Sequence, residues 1–171
     1  QADAANLSTI SDRFVSNKVD LVLAIATPAA QSIAGKTTTI PILGTAITDY
    51  VVARLVESNE APGGNVSGTT DMNPIKEQID LLVQLAPDVQ TVGVLYTSSE
   101  DNSILQAELA RESIENLGLK YVEVTVSNSN EVQQATQSIV NQCDAIYIPT
   151  DNIFASAMPI VHGVVLESKT P

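Results

Sequence analysis

Tryptophan is absent from this 171-residue chain, and aromatic residues make up only 4% of it. The core must therefore come from Val, Ile, Leu and Ala, and an apolar share of 44% is enough for one. Such a composition suits parallel strands buried beneath helices. One cysteine, Cys143, excludes an internal disulfide and a cysteine metal site. A nearly cysteine-free chain is in keeping with an exported bacterial protein. His162 is the one histidine, so no Ser-His-Asp group and no pair of His or Cys metal ligands can be assembled. The residues support no catalytic group, metal or cofactor. Basic residues are scarce: 8 Lys and Arg stand against 20 Asp and Glu, a net charge of −12. Nucleic acid and anionic membrane surfaces reward clustered Lys and Arg, so neither is an expected partner. No apolar run approaches the roughly 18 residues of a membrane span, so no direct membrane insertion of this segment is expected. A signal peptide is missing as well.

What the chain does contain is one pattern written twice. Residues 19–26 are almost wholly apolar and run into Thr27-Pro28-Ala29-Ala30, then a helical stretch, then Thr39-Ile40-Pro41. Residues 143–148 run into Pro149-Thr150-Asp151-Asn152, then a helical stretch, then Ser168-Lys169-Thr170-Pro171. Each copy reads as a buried strand, a polar turn and a helix returning to a proline before the next strand. Two such units imply two α/β lobes with parallel sheets, whose ligands sit beyond the carboxyl ends of the strands. The first copy leads into Ile42-Leu43-Gly44, whereas the second stops at its proline. Residues 6–17 read as a helix with no strand before it. These two features predict a chain truncated at both ends, so the missing signal peptide carries no information about export.

The element order is βα repeated. Helices are expected over residues 4–17, 51–56, 104–117, 130–141 and 153–167. Another opens at Asn73-Pro74 with Asn as cap and Pro in the first turn. Strands are expected at 19–26 (covered on both faces), 41–45, 66–70, 89–96, 119–126 and 145–148. The first lobe is expected over 1–70 and the second over 71–171. Gly35-Lys36-Thr37 falls at a helix end, and Ala30 stands where a phosphate-binding loop needs Gly. Gly63-Gly64-Asn65 precedes a strand and reads as a turn.

The chemistry is therefore sought in the polar turns at strand ends. These are Thr27 with Pro28 and Ala29, Thr45 with Ala46, Asp71, the run Ser98, Ser99, Glu100, Asn102 and Ser103, and Asp151 with Asn152. Ser, Thr, Asp and Asn also favour helix caps, and capping is compatible with binding. A helix N-terminus suits a ligand carboxylate, and acidic residues such as Asp151 and Asp71 suit an ammonium group.

Five segments occur in an informative order: residues 24–31 (AIATPAAQ), 46–49 (AITD), 62–68 (PGGNVSG), 96–103 (YTSSEDNS) and 144–152 (DAIYIPTDN). Together they resemble the substrate-binding proteins of ABC transporters of the tryptophan/tyrosine-binding type, over essentially the whole chain. The resemblance implies a type I periplasmic-binding-protein fold of two Rossmann-like lobes with a ligand cleft. It implies an extracytoplasmic receptor, a lipoprotein in Gram-positive bacteria or a periplasmic protein, that hands an aromatic amino acid to an ABC permease. Carried onto this sequence, Thr27 and the backbone after Pro28 hold the carboxylate with Thr45. Asp151 and Asp71 hold the ammonium, and Ser98, Ser99, Glu100, Asn102 and Ser103 close from the second lobe. The family commonly has Pro after the Thr-Asp of the second loop. Tyr50 stands there instead, as a ligand contact or as a surface or hinge residue. Two other readings remain at this point: a sensory or regulatory domain of the same fold, and an α/β enzyme, for which no nucleophile with a base is present.

Overall fold

The computed structural model describes residues 4–171, with side chains from Asn6 onward. Residues 1–3 of the first expected lobe lie outside the described residues. The chain divides into two compact units, one ending at Asn73 and the other spanning Pro74–Pro171.

The first unit contains α1 (Ala4–Ser16), β1 (Val22–Ile25), α2 (Thr27–Ala34), β2 (Ile42–Ile47) and β3 (Val66–Thr70). Its strands form a parallel sheet in the order β1-β2-β3. Alternation along the strands sends Val22, Ala24, Ile42 and Val66 to one face, where they pack with Ala30, Ile33 and Tyr50. Among the described residues the opposite face is not covered within the unit, contrary to the expectation for residues 19–26. Leu23 is 59% exposed, Ile25 61% and Leu43 46%. A run of consecutive apolar residues implies two apolar faces but does not supply the second layer.

Three further expectations for this unit fail for local reasons. Residues 51–56 are turns, not a helix. The Asp49 carboxylate accepts from the N–H groups of Val51 and Val52, both at 2.8 Å, and Arg54 takes φ 57°. Two adjacent β-branched residues add nothing to helix propensity there. Thr45 and Ala46 lie inside β2 and not in a turn after it. A register shift between Gly44 and Ile47, with Ala46 at φ 53°, lets the strand continue past them. Tyr50 is not a surface residue: it is 5% exposed, and its hydroxyl donates to Thr69 C=O at 3.2 Å. Its ring lies against the two glycines that face each other in β2 and β3, Gly44 and Gly68.

The second unit contains α3 (Ile75–Leu85), β4 (Thr91–Thr97), α4 (Asp101–Asn116), β5 (Lys120–Val126), a 3-10 turn (Ser129–Glu131), α5 (Val132–Ile139), β6 (Ala145–Tyr147) and α6 (Asn152–Ser168). The sheet is parallel in the order β5-β4-β6. Here both faces are covered. Val92 and Val94 pack with Ile79, Ala107, Ala110 and Ile114 of α3 and α4. Leu95 and Val126 pack with Val132, Ile139, Phe154 and Ala157 of α5 and α6. Pro74, not Asn73, stands at the cap position of α3, and a proline side chain has no acceptor to cap it. Asn102 and Ser103 lie in the first turns of α4, so only residues 98–100 are loop. Short polar residues favour helix starts as well as loops, which is why the run looks longer in sequence.

A Cβ on Gly68 would lie 2.0 Å from Gly44 O and 2.1 Å from the Tyr50 hydroxyl. Gly68→Ala should therefore destabilise the first unit by about 3 kcal/mol, the upper range for overpacking. Gly64→Ala, with nothing within 4 Å of the new carbon, should leave stability unchanged. Chemical denaturation of the two variants beside the parent checks this.

Candidate ligand-binding site

In the first unit the expected residues gather at the carboxyl ends of the three strands. Ala26 N–H donates to Thr45 C=O at 3.0 Å, so α2 starts beside the end of β2. Asp71 N–H donates to Ile47 C=O at 3.1 Å, which sets Asp71, exposed, at the end of β3. Thr45 Oγ1 and Thr69 Oγ1 are 3.4 Å apart across the strands. Ala26 occupies the cap position of α2 at φ 75°, ψ 152°, and no side chain caps the helix. Pro28 lies in the first turn, where its missing N–H costs nothing. Ala26 and Ala46 thus both hold positive φ at neighbouring strand ends, a strain on the order of 1–3 kcal/mol per residue. The first turn of α2 presents backbone N–H groups and the positive end of a helix dipole, the features that bind a carboxylate.

In the second unit the polar groups are bonded to one another. The Asp151 carboxylate accepts from Thr97 N–H at 2.6 Å and Thr97 Oγ1 at 2.8 Å, and it caps α6 by accepting from Phe154 N–H at 2.9 Å. It is 4% exposed. One oxygen of Glu100, Oε2, accepts from Asn152 Nδ2 at 2.7 Å, Asn152 N–H at 3.2 Å and Asn102 Nδ2 at 3.3 Å. Burial pushes the Glu100 carboxyl above the usual carboxylate range. The Asn152 bonds oppose that shift, and the nearby charge of Asp151 adds to it. Asn102 Nδ2 also donates to Thr150 C=O at 3.0 Å, and Gln106 Nε2 reaches the same oxygen at 3.4 Å. Gln106 Oε1 accepts from Thr150 N–H at 3.3 Å. Ser103 Oγ lies 3.5 Å from Thr150 O. Ser98 donates twice to Val126 C=O, and Ser99 is exposed.

The structure thus joins Glu100, Asn102, Ser103, Asp151 and Asn152 into one cluster and leaves Ser98 and Ser99 at its margin. Thr97, Thr150 and Gln106 belong to this cluster but escaped sequence reasoning. The one available signal for Gln106 was its spacing, one helical turn after Asn102.

Two α/β units with parallel sheets, each carrying polar loops at its strand ends, define the type I periplasmic-binding-protein fold. A leucine-binding protein of Thermotoga maritima shares it, with TM-score 0.60 at 17% identity over 86% of this chain and 42% of that one. The chain belongs to the ABC transporter substrate binding protein family, whose model matches residues 1–171. It is 44% identical to a tyrosine-binding protein of Clostridioides difficile over all 171 residues, and it spans 50% of that relative's length. It is also similar to an ABC domain from Streptococcus pneumonia solved in complex with L-Trp. That match has a TM-score of 0.96 at 41% identity and covers 99% of this chain and 57% of that one. Among the described residues, no helix is long and apolar enough to cross a membrane.

Asp151→Ala leaves three buried donors without their acceptor and removes the α6 cap. It should cost about 3 kcal/mol or more, at about 1–3 kcal/mol per unsatisfied buried group. Denaturant titration reads this loss. Glu100 carries the opposite sign. Its raised carboxyl binds a proton more readily folded than unfolded, so this group lowers stability as pH rises through its folded range. Glu100→Gln should therefore be at least as stable as the parent at pH 7, and the difference should vanish below the ordinary carboxylate range. Urea melts at neutral and acid pH test the sign.

Proposed function

We propose that the protein is the extracytoplasmic receptor of an ABC importer and binds a free aromatic amino acid. Family membership supports the receptor role. The tyrosine-binding relative and the L-Trp complex of the similar solved protein support the ligand class. Delivery to an ABC permease, location outside the cytoplasm and a lipid anchor or periplasmic setting follow from the same reading. So does the absence of a reaction: the receptor captures and releases its ligand unchanged.

The observation that carries the ligand chemistry is the contrast between two helix starts. The α6 N-terminus is closed by the Asp151 carboxylate, whereas that of α2 has no capping side chain. In this reading the ligand carboxylate caps α2, with the Thr27 hydroxyl, the Ala29 backbone and the Thr45–Ala46 strand end around it. Asp71 lies on the same rim and faces the amine. Within the second unit, the residues that the family resemblance assigns to ligand contact are Ser98, Ser99, Glu100, Asn102, Ser103 and Asn152. Asp151 acts by holding the Thr97 and Phe154 backbone in place.

A thermal-shift screen of the complete protein against the twenty amino acids tests the class. Tyr, Trp or Phe should raise the melting temperature, equivalent to about 2.7 kcal/mol at a hundredfold excess over Kd. Tyramine, which lacks the carboxylate, should give no shift, and Thr27→Val should weaken tyrosine binding by about tenfold, one lost hydrogen bond. A folded protein that shifts with no amino acid would remove the assignment.

A further inference from the structure

The end of β2 is strained, and one buried side chain is placed to hold it. Between the pairs Gly44–Gly68 and Ile47–Thr70, two residues of β2, Thr45 and Ala46, stand opposite one residue of β3, Thr69. Such bulges are uncommon between parallel strands, and they serve to re-aim a strand end. Here the bulge carries Ala46 at φ 53°. An alanine keeps that conformation only where its surroundings impose it. Three bonds on the rim contribute: Ala26 N–H to Thr45 C=O at 3.0 Å, Asp71 N–H to Ile47 C=O at 3.1 Å, and Thr70 Oγ1 to Thr48 C=O at 2.6 Å. Their donors belong to residues that are exposed or half-buried, where water competes for the same groups.

The remaining support comes from inside the unit. Tyr50 is buried, and its hydroxyl donates to the C=O of Thr69, the residue opposite the bulge. Gly44 and Gly68 form the last regular pair before the bulge, and Tyr50 fills the notch they leave. A Cβ on Gly44 would lie 2.6 Å from the Tyr50 hydroxyl and 3.0 Å from its ring carbon Cε1. Glycine inside a strand gives up packing and costs chain entropy, and it marks a place where another group must come close. Two of them side by side, both against one phenol, are more than an ordinary core tyrosine requires. The backbone of Tyr50 is itself fixed, since Leu55 N–H donates to its C=O at 2.9 Å. Burial raises the Tyr50 phenol above its ordinary range; the bond to Thr69 opposes the shift and the Asp71 charge adds to it, so the hydroxyl keeps its proton and remains a donor.

We propose that Tyr50 is a positioning residue for the rim of the first unit: its ring in the Gly44–Gly68 notch and its hydroxyl on Thr69 C=O hold the β2 bulge in register, and through the Ala26–Thr45 bond they fix the direction of the first turn of α2. The link to binding rests on the amino-acid reading above, in which that turn receives the ligand carboxylate; the hold on the bulge concerns the first unit alone. Tyr50 makes no ligand contact in this role. Without the hydroxyl the ring stays in its notch, but the β3 backbone opposite the bulge is freed, so the strand end loosens while the core stays packed.

Amide hydrogen exchange on the ligand-free complete protein, wild type against Tyr50→Phe, reads this directly. Exchange at the N–H groups of Ala26 and Asp71 should quicken by about fivefold, the scale of one hydrogen bond. The N–H groups of Val22 and Ile42, which donate to Pro41 and Asn65 C=O at the opposite end of the same strands, should keep their rates. An equal loss of protection at all four would mark a tyrosine that stabilises the unit without positioning its rim, and unchanged rates at all four would mark one that does neither; each overturns the proposal. Titration calorimetry with L-tyrosine, well below the melting temperature, tests the link to binding. Tyr50→Phe should weaken binding by about fivefold or more. Val22→Ala, which thins the core at the far end of β1, should lower the melting temperature and leave Kd unchanged. Equal Kd in wild type and Tyr50→Phe would reject the positioning role while leaving the amino-acid reading intact. A wild type that binds no amino acid would remove that reading and the link to binding together, and the exchange rates would then decide the hold on the bulge. Should Tyr50→Phe not fold, Gly44→Ala, which sets a methyl against the same hydroxyl, takes its place with the same expected outcomes.

Discussion

The carboxylate of Asp151 joins the end of β4 to the start of α6 within the second unit. Thr97 belongs to the central strand, and Phe154, fully buried, belongs to a helix on one face of the sheet. A single acidic side chain supplies the acceptors that the strand end and the helix start would otherwise lack, since first-turn N–H groups have no intrahelical partner. The arrangement of the neighbouring loops depends on this bond. Thr150 is held next to it from α4 by Asn102 and Gln106, and Asn152 is tied to Glu100. Most polar groups in these loops of the second unit are thus bonded to one another.

The first unit solves the same geometric problem differently. Its strand ends carry alanines at positive φ, and its α2 start has no capping side chain. The N–H groups of the first α2 turn therefore have no side-chain cap at Ala26. Side-chain polarity is concentrated in one unit and backbone polarity in the other.

The fold was largely legible in the sequence because buried parallel strands are short and apolar and are followed by caps and amphipathic helices. The repeated strand, polar turn and helix found β1 with α2 and β6 with α6. Failures fell where tertiary contacts override local pattern. Tyr50 read as a ligand contact or as a surface or hinge residue, yet a pair of glycines on adjacent strands makes room for its buried ring. Thr45 and Ala46 looked like a turn, yet a bulge carries β2 through them. The candidate site was legible as a set of turns but not as an arrangement, since a sequence does not reveal which acceptor meets which donor.

What the sequence by itself determined is the α/β class, the parallel strands, the polar loops at their ends and the family, because periodicity, capping chemistry and ordered motifs are local properties. What only the tertiary structure decided is how the acidic residues are bonded. Asp151 and Glu100 are alike in sequence, each acidic and each just before a helix. They differ because Thr97, 54 residues before Asp151, supplies donors to one, while burial beside Asn102 leaves the other without a compensating charge. That distinction arises from the pairing of β4 with β6, a contact between distant segments that no local pattern encodes.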